Sequence, residues 1–483
     1  MKCKKLIRGF PIALKGAKEV EITGISADAR HVLPGNLFVL NKHHPFGGIG
    51  SMAHAMQNGA AAILTDIYDP FLAVPQLVTP SLEKVVPSLV DRYYGNPSKR
   101  VRVLGILGSQ ATVAAHLLRH CLEELGEAVG LLSSVEKWRQ GSYVPADLFA
   151  DDLISNQKSL GEMLGQGKKV AILEMLPTAL QEGAFAEVDL HATIFAQFSY
   201  QEEGCLPSEE EMLQEVAPLL QNNHCSFVAL NENSPYIPFC QETLRILPKT
   251  YGFSRRAELQ MADISFSQQG TKGRLVHRGK SSLFSSPLLG RPPLYGVLAA
   301  LSALVSCGYC IEEITPYLAS FRGVPGRMQK VGRTIFVDAA RTPSAFKESL
   351  LALRGCTNLP IVLVLGSLVV TARNSRFHMG KIADRYADFT ILTNNTPGAE
   401  DPASIVADLQ AGFSSNRQQI VLHRREAIYE GVRRAHGKAL LLVAGKGHEK
   451  TESCAHTTLP FDDVEVAKEA LRVVSQKQGR APL

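Results

Sequence analysis

The stretch RVLGILGSQATV, residues 102–113, decides the fold class. Its first half, RVLGIL (102–107), is a short apolar run of the kind that forms a strand buried on both faces. Its second half opens an amphipathic helix predicted from 111 to 125, with Gly126 where a C-terminal stop belongs. The same strand signature returns at KKVAILEM (168–175), LPIVLVLG (359–366) and ALLLVAGKG (439–447). Apolar strands alternating with amphipathic helices imply an α/β protein with parallel sheets in doubly wound layers.

Outward from that unit, the first hundred residues read as a smaller α/β region. VEITGISADAR (20–30) and NLFVL (36–40) are predicted strands. SMAHAMQNGAAAILTD then gives a helix stopped at Gly59 and a strand through Ile63. The polar RYYGNPSKR (92–100) reads as a linker, and the Gly- and Arg-rich FRGVPGRMQKVGR (321–333) as a second break. Three domains are therefore expected, at 1–99, 100–325 and 326–483. The length of 483 residues agrees, at about 150 residues per domain.

Composition narrows the function classes. With 45% hydrophobic residues and a net charge of only +5, the chain is not intrinsically disordered. No run approaches the roughly 18 apolar residues of a membrane span, so no membrane insertion is expected. The 51 basic and 46 acidic residues are interleaved, which does not describe a nucleic-acid stripe. The basic N-terminus is broken by Arg8, Pro11 and Lys15, so no secretory signal is read and a cytoplasmic protein is expected. Nine scattered cysteines suit reduced thiols. Cys307 and Cys310 form a lone C-x-x-C with no second pair, read as simple burial.

GILGSQATV (105–113) sits where a phosphate loop belongs, between a buried strand and a helix start. Such a loop aims successive backbone N–H groups and a helix N-terminus at phosphate oxygens. Gly105, Gly108, Ser109 and Thr112 are in place, but the loop has no Lys for the outer phosphates. Either a degenerate phosphate site or an ordinary α/β turn fits these residues.

Over nearly its whole length the chain resembles the Mur ligases. It is most similar to the branch that adds the third residue of the peptidoglycan stem. NGAAAIL, GVPGRMQKV, FVDAARTPSAF (336–346), AEDPASI (399–405), LLVAGKGHE (441–449) and LPFDD (459–463) carry the resemblance. It implies a three-domain architecture: an N-terminal domain holding UDP-MurNAc, a central P-loop-like ATPase sheet and a Rossmann-like C-terminal domain. The implied cofactors are ATP and Mg²⁺. The implied reaction phosphorylates the carboxylate of UDP-MurNAc-L-Ala-D-Glu, then lets diaminopimelate or lysine attack the acyl phosphate. Peptidoglycan biosynthesis, cell shape and cell division are the implied setting. A UDP-linked muropeptide and proteins of cell-wall synthesis are the implied partners.

Carried over position by position, the resemblance shows a selective loss. The family loop G-x-T-G-T-N-G-K-T-T is two residues longer than GILGSQAT (105–112) and includes the Lys that neutralises transition-state charge. Glu174 matches the family's metal-binding Glu, with Thr112 the other candidate metal contact. The carbamylated Lys aligns with Val216, and the adenine-contacting His-Asn pair with Pro292 and Pro293, the second Asn being Gly296. Asp338 matches the ribose-contacting Asp and Arg327 lies in the retained G-R-M, while the family's His is Arg341. The D-N-P-R signature becomes Asn395, Thr396, Pro397 and Gly398, losing the Arg that clamps a carboxylate. Gly445 and Glu449 match contacts to the amino acid, and Asp28 and Arg30 remain from D-S-R in the first domain. Lys446, Arg327 or Arg341 would have to replace the missing loop Lys if catalysis survives, so Glu174, Arg341 and Lys446 are the catalytic candidates. Each survivor also has a structural reading: Asp338 as a helix cap, Lys446 as a turn brace, Glu174 as a satisfied buried carboxylate. The expectation is a catalytically impaired or inactive paralogue; a divergent working amide ligase is the alternative.

Overall fold

Each apolar run marked as a buried strand forms one, at Arg102–Leu107, Val170–Glu174, Ile361–Leu365 and Leu440–Ala444. The computed structural model describes residues 1–17, 19–40, 50–146, 152–197, 216–218, 220–221, 225–242, 245–454 and 457–477. They divide into two units, Met1–Leu107 with Gly126–Thr193 and Pro207–Val228, and Gly108–Leu125 with Ile194–Leu206 and Ala229–Leu483.

The first unit opens with a five-stranded sheet in the order Ala13–Lys15, Gln76–Val78, Ala62–Thr65, Asn36–Val39, Gly24–Ser26. The helix Leu82–Tyr93 turns Val85, Leu89 and Val90 onto Leu37, Leu64 and Leu77 of that sheet. One expectation needs correction here. The strand predicted over 20–30 is confined to Gly24–Ser26, because Asp28 accepts the Arg30 N–H and starts a short 3-10 turn at Ala29–His31. The stretch 92–100, read as a linker, is ordered. It holds the end of a helix and a second 3-10 turn, Pro97–Lys99, in which Pro97 and Ser98 are buried. The same unit pairs Arg102–Leu107 and Val129–Leu132 in parallel on either side of Val170–Glu174. A hairpin of Glu136–Arg139 and Ser142–Pro145 follows at the edge beyond Val129–Leu132.

The second unit packs the helix Ala111–Glu124 against the helix Pro292–Ser306. Its strands Leu259–Ser267, Gly270–His277 and Lys280–Ser286 form an antiparallel meander beside Lys249–Gly252. The last third is a six-stranded sheet in the order Gln329–Val331, Ile335–Asp338, Leu440–Ala444, Ile361–Leu365, Phe389–Leu392, Gln418–Ile420. All its pairs are parallel except the first. Helices cover both faces: Pro343–Cys356, Arg373–Tyr386 and Pro402–Gln410 on one, Arg424–Ala435 and Asp463–Lys477 on the other. The chain leaves Ile335–Asp338 for Ile361–Leu365 and returns last to the gap between them. Open α/β sheets place their crevice at such a switch point, beyond the carboxyl ends of the strands.

Cys307 and Cys310 are exposed, which overturns the reading of buried thiols. They flank the turn that ends Pro292–Ser306, where the chain leaves the core. No helix among the described residues is long and apolar enough to cross a membrane.

Candidate functional site

The loop after Arg102–Leu107 turns at Gly108, whose φ of 113° is open to glycine and costly for other residues. A Cβ there would lie 2.4 Å from the Gln197 carbonyl oxygen and 2.7 Å from that of Ala196. Those two carbonyls also take the loop's donors. The Ser109 N–H donates to Gln197 O at 2.7 Å and the Gln110 N–H to Ala196 O at 2.9 Å. The Ser109 hydroxyl donates to Gln197 O at 3.0 Å. The Ala111 N–H donates back to Gly108 O at 3.1 Å. Three successive N–H groups of the kind a phosphate cradle needs are therefore spent on protein carbonyls.

Gly105 has a packing reason to be glycine: a Cβ would meet Met175 Sδ at 2.7 Å and Leu190 at 3.1 Å. Glu174, at the end of its strand, accepts the Ser134 N–H at 2.7 Å on one carboxylate oxygen and the Ser134 hydroxyl on both. Ser134 was not anticipated; nothing in its sequence neighbourhood marks it. The segment aligned with the carbamylated Lys lies outside the described residues up to 215, and Val216 is fully buried.

Ser109, Thr112, Arg327 and Asp338 line one cavity of about 210 Å³, together with Pro292, Pro293, Met328 and Glu348. That is below the roughly 300–1,000 Å³ of small-molecule sites. The positions aligned with adenine contacts shape its wall. Pro292 and Pro293 offer no N–H. Gly296 lets the two helices close in, so that a Cβ would stand 3.0 Å from Gln110 O and from Val113 Cβ. The Arg327 Nε is buried and has no hydrogen-bond partner among the described residues. His116, on the helix behind the loop, is held neutral: burial first, then Arg119, Arg327 and His448, lower it to about 3. A nucleoside triphosphate does not fit the cavity and loop as they stand, because the cavity is small and the Ser109, Gln110 and Ala111 N–H groups already donate to protein carbonyls.

Asp338 is not a helix cap. Thr342 caps Pro343–Cys356 by accepting the Ala345 N–H. Asp338 instead accepts the Met328 N–H at 3.0 Å and the Ser349 hydroxyl, tying the 327–330 segment to its strand. At the carboxyl ends of the six-stranded sheet the structure gathers Arg341, Asn395, Gly445, Lys446 and Glu449. Arg341 pairs with Glu449 and reaches the Gly445 carbonyl at 3.3 Å. Lys446 is fully buried, donates to Thr396 Oγ1 at 3.1 Å and lies 3.8 Å from Glu449 Oε2. Burial, then Arg424, pulls its ammonium below the ordinary lysine value, opposed by Glu449 and Asp463. Lys446 thus ties the end of Leu440–Ala444 to the segment after Phe389–Leu392, across the end of the intervening strand Ile361–Leu365. The Asn395 side chain is fully buried and both its polar atoms lack partners among the described residues, as does the Ser367 hydroxyl beside it. Gly398 has φ of 60° and Val369 Cγ1 3.2 Å from the place of its Cβ, so the turn has no room for an arginine without strain. In the first unit, Asp28 and Arg30 pair at 2.7 Å, with His31 alongside.

Family models match the Mur ligase middle domain over residues 111–304 and the Mur ligase glutamate ligase domain over 326–447. The UDP-N-acetylmuramoyl-L-alanyl-D-glutamate–2,6-diaminopimelate ligase of Chlamydia muridarum (strain MoPn / Nigg) is 30% identical, covering 98% of this chain and 99% of its own. The ligase of the same name from Parasynechococcus marenigrum (strain WH8102) is 31% identical, over 95% of this chain and 96% of its own. The chain belongs to the Mur ligase family. A solved ligase of that name shares the fold with a TM-score of 0.67, at 24% identity over 99% of both chains. A MurF ligase from Thermotoga maritima, solved in complex with ADP, shares it at 0.64 and 15% identity over 94% and 98%.

Proposed function

We propose that this Mur ligase homologue no longer performs ATP-dependent ligation. In this reading it is a catalytically inactive paralogue of the diaminopimelate ligases, working in the cytoplasm beside peptidoglycan synthesis in cell-shape or division control. Its three domains follow the partition 1–99, 100–325 and 326–483. One observation carries the reading: the N–H groups of Ser109, Gln110 and Ala111 already donate to Gln197, Ala196 and Gly108 carbonyls. A phosphate would have to displace those bonds with no loop Lys to compensate, and loss of one preorganised charge costs orders of magnitude in rate. The retained ligand would be the UDP-linked muropeptide, held through Asp28 and Arg30. Asn395, Gly445 and Glu449 would line what remains of the amino-acid crevice.

The unpartnered Arg327 Nε in the same cavity as Thr112 favours the second reading, a divergent ligase with ATP and Mg²⁺ held by relocated cations and by Glu174. The experiment is phosphate release from ATP in the presence of Mg²⁺, UDP-MurNAc-L-Ala-D-Glu and diaminopimelate or lysine. The expected result is no release above the protein-free rate. Turnover at ordinary enzyme rates, about 1 s⁻¹ or more, would establish the working ligase instead.

A further inference from the structure

The carbonyls that close the loop are themselves held by one side chain. Tyr251, on Lys249–Gly252, is fully buried. Its hydroxyl donates to the Phe195 carbonyl and accepts the Gln197 N–H at 3.3 Å. Between those anchors the chain turns sharply, and Gln197 takes a left-handed φ of 61° that an L-residue with a side chain adopts at a cost. A tyrosine hydroxyl serving as donor and acceptor to two backbone groups two residues apart fixes the turn's direction. The turn in turn presents the Ala196 and Gln197 oxygens to Gln110 and Ser109. Burial pushes the hydroxyl well above its ordinary value, so it stays a neutral donor at any working pH.

We propose that Tyr251 is a latch: through its hydroxyl it holds residues 195–197 in the conformation whose carbonyls occupy the donors of the 108–111 loop. The proposal rests on the reading of that loop as closed to phosphate. It gives Tyr251 a positioning role and makes the closed loop a conformational state of this chain, maintained from a neighbouring strand. Opening the latch would free the Ser109 and Gln110 N–H groups beside the N-terminus of a 14-residue helix. Those donors would then be available to an oxyanion.

Hydrogen–deuterium exchange on the full-length protein and its Tyr251→Phe variant tests this. Phenylalanine keeps the ring and removes only the hydroxyl. The amides of 109, 110 and 197 should exchange about tenfold faster in the variant, the scale expected when one net hydrogen bond is lost. Residues 114–124 should be unchanged, which a general loss of packing would not allow. Equal protection of 109 and 110 in both proteins overturns the latch. If Tyr251→Phe does not fold, Gln197→Gly serves, since it relieves the left-handed residue and leaves every backbone bond available. Protection at 109–110 should then hold or rise, and its loss would overturn the proposal. Inorganic pyrophosphate at millimolar concentration separates the two claims. Slower exchange at 109–110 in the Phe variant alone supports the latch, whereas slowing in the wild type overturns the closed-loop reading itself.

Discussion

At residue scale, the same few atoms serve both as remnants of a ligand site and as parts of the fold. Gly108 shows the second role. Replacing it with Ala would place a methyl 2.4 Å from a backbone oxygen at a φ of 113°, and neither atom can move freely. Strained φ and overpacking each cost about 1–3 kcal/mol. The variant should lose about 2–4 kcal/mol in urea denaturation, more than a Gly→Ala change at Gly126, where φ is also left-handed at 83° but nothing crowds the Cβ. Asp91 offers a second test, in pH. It is buried, one carboxylate oxygen lacks a partner among the described residues, and burial raises it to about 6, with Lys99 opposing and Glu187 adding. The folded state therefore prefers Asp91 protonated. Its contribution is full below the ordinary aspartate value near 4 and is lost as pH rises through about 6. Asp91→Asn should leave stability unchanged near pH 4 and raise it by roughly 2 kcal/mol at pH 7–8. An equal effect at both pH values would show that ionisation is not the cause.

At the scale of elements, strands and helices were legible wherever apolar periodicity was strong. Arg102–Leu107, Ala111–Glu124, Val170–Glu174 and Leu440–Ala444 fall within three residues of their sequence readings. The failure lies where local chemistry overrides pattern. Asp28 cut a predicted strand short by capping a 3-10 turn. The candidate site was legible in part. That the 105–113 stretch has no Lys could be read from the letters alone. What occupies the loop's donors could not, because the Ala196 and Gln197 carbonyls act through backbone position. The helix pair shows the difference. Gly296 reads as a lost contact, but in the fold a Cβ there would stand 3.0 Å from Gln110 O and Val113 Cβ, at the start of Ala111–Glu124. Gly296→Asn should therefore not restore nucleotide binding. A branch there meets Gln110 O and Val113, and overpacking of about 1–3 kcal/mol should appear as a lower urea midpoint with no gain in ATP affinity by calorimetry. A gain in affinity would show that the helices part more readily than their packing implies.

At the scale of the whole molecule, the question is which ligands the native state still recognises, and linkage makes that measurable without a catalytic assay. A ligand that binds only the folded protein stabilises it by about 2.7 kcal/mol at one hundred times its Kd, enough to move a melting transition by several degrees. For ATP with Mg²⁺ the favourable terms have been removed together: cradle donors occupied at Ser109–Ala111, no loop Lys, and a cavity of about 210 Å³. Millimolar ATP should leave the melting temperature within about a degree of the apo protein. The muropeptide side differs, because Asp28 and Arg30 stand as an organised pair in the first unit. UDP-MurNAc-L-Ala-D-Glu should therefore raise the melting temperature in a concentration-dependent way while ATP does not. A shift with ATP alone would mean that the phosphate loop opens in solution, and the inactive reading would fall. No shift with either ligand would leave the fold itself, as an interaction surface within cell-wall synthesis, to account for the retention of 483 residues of Mur ligase architecture.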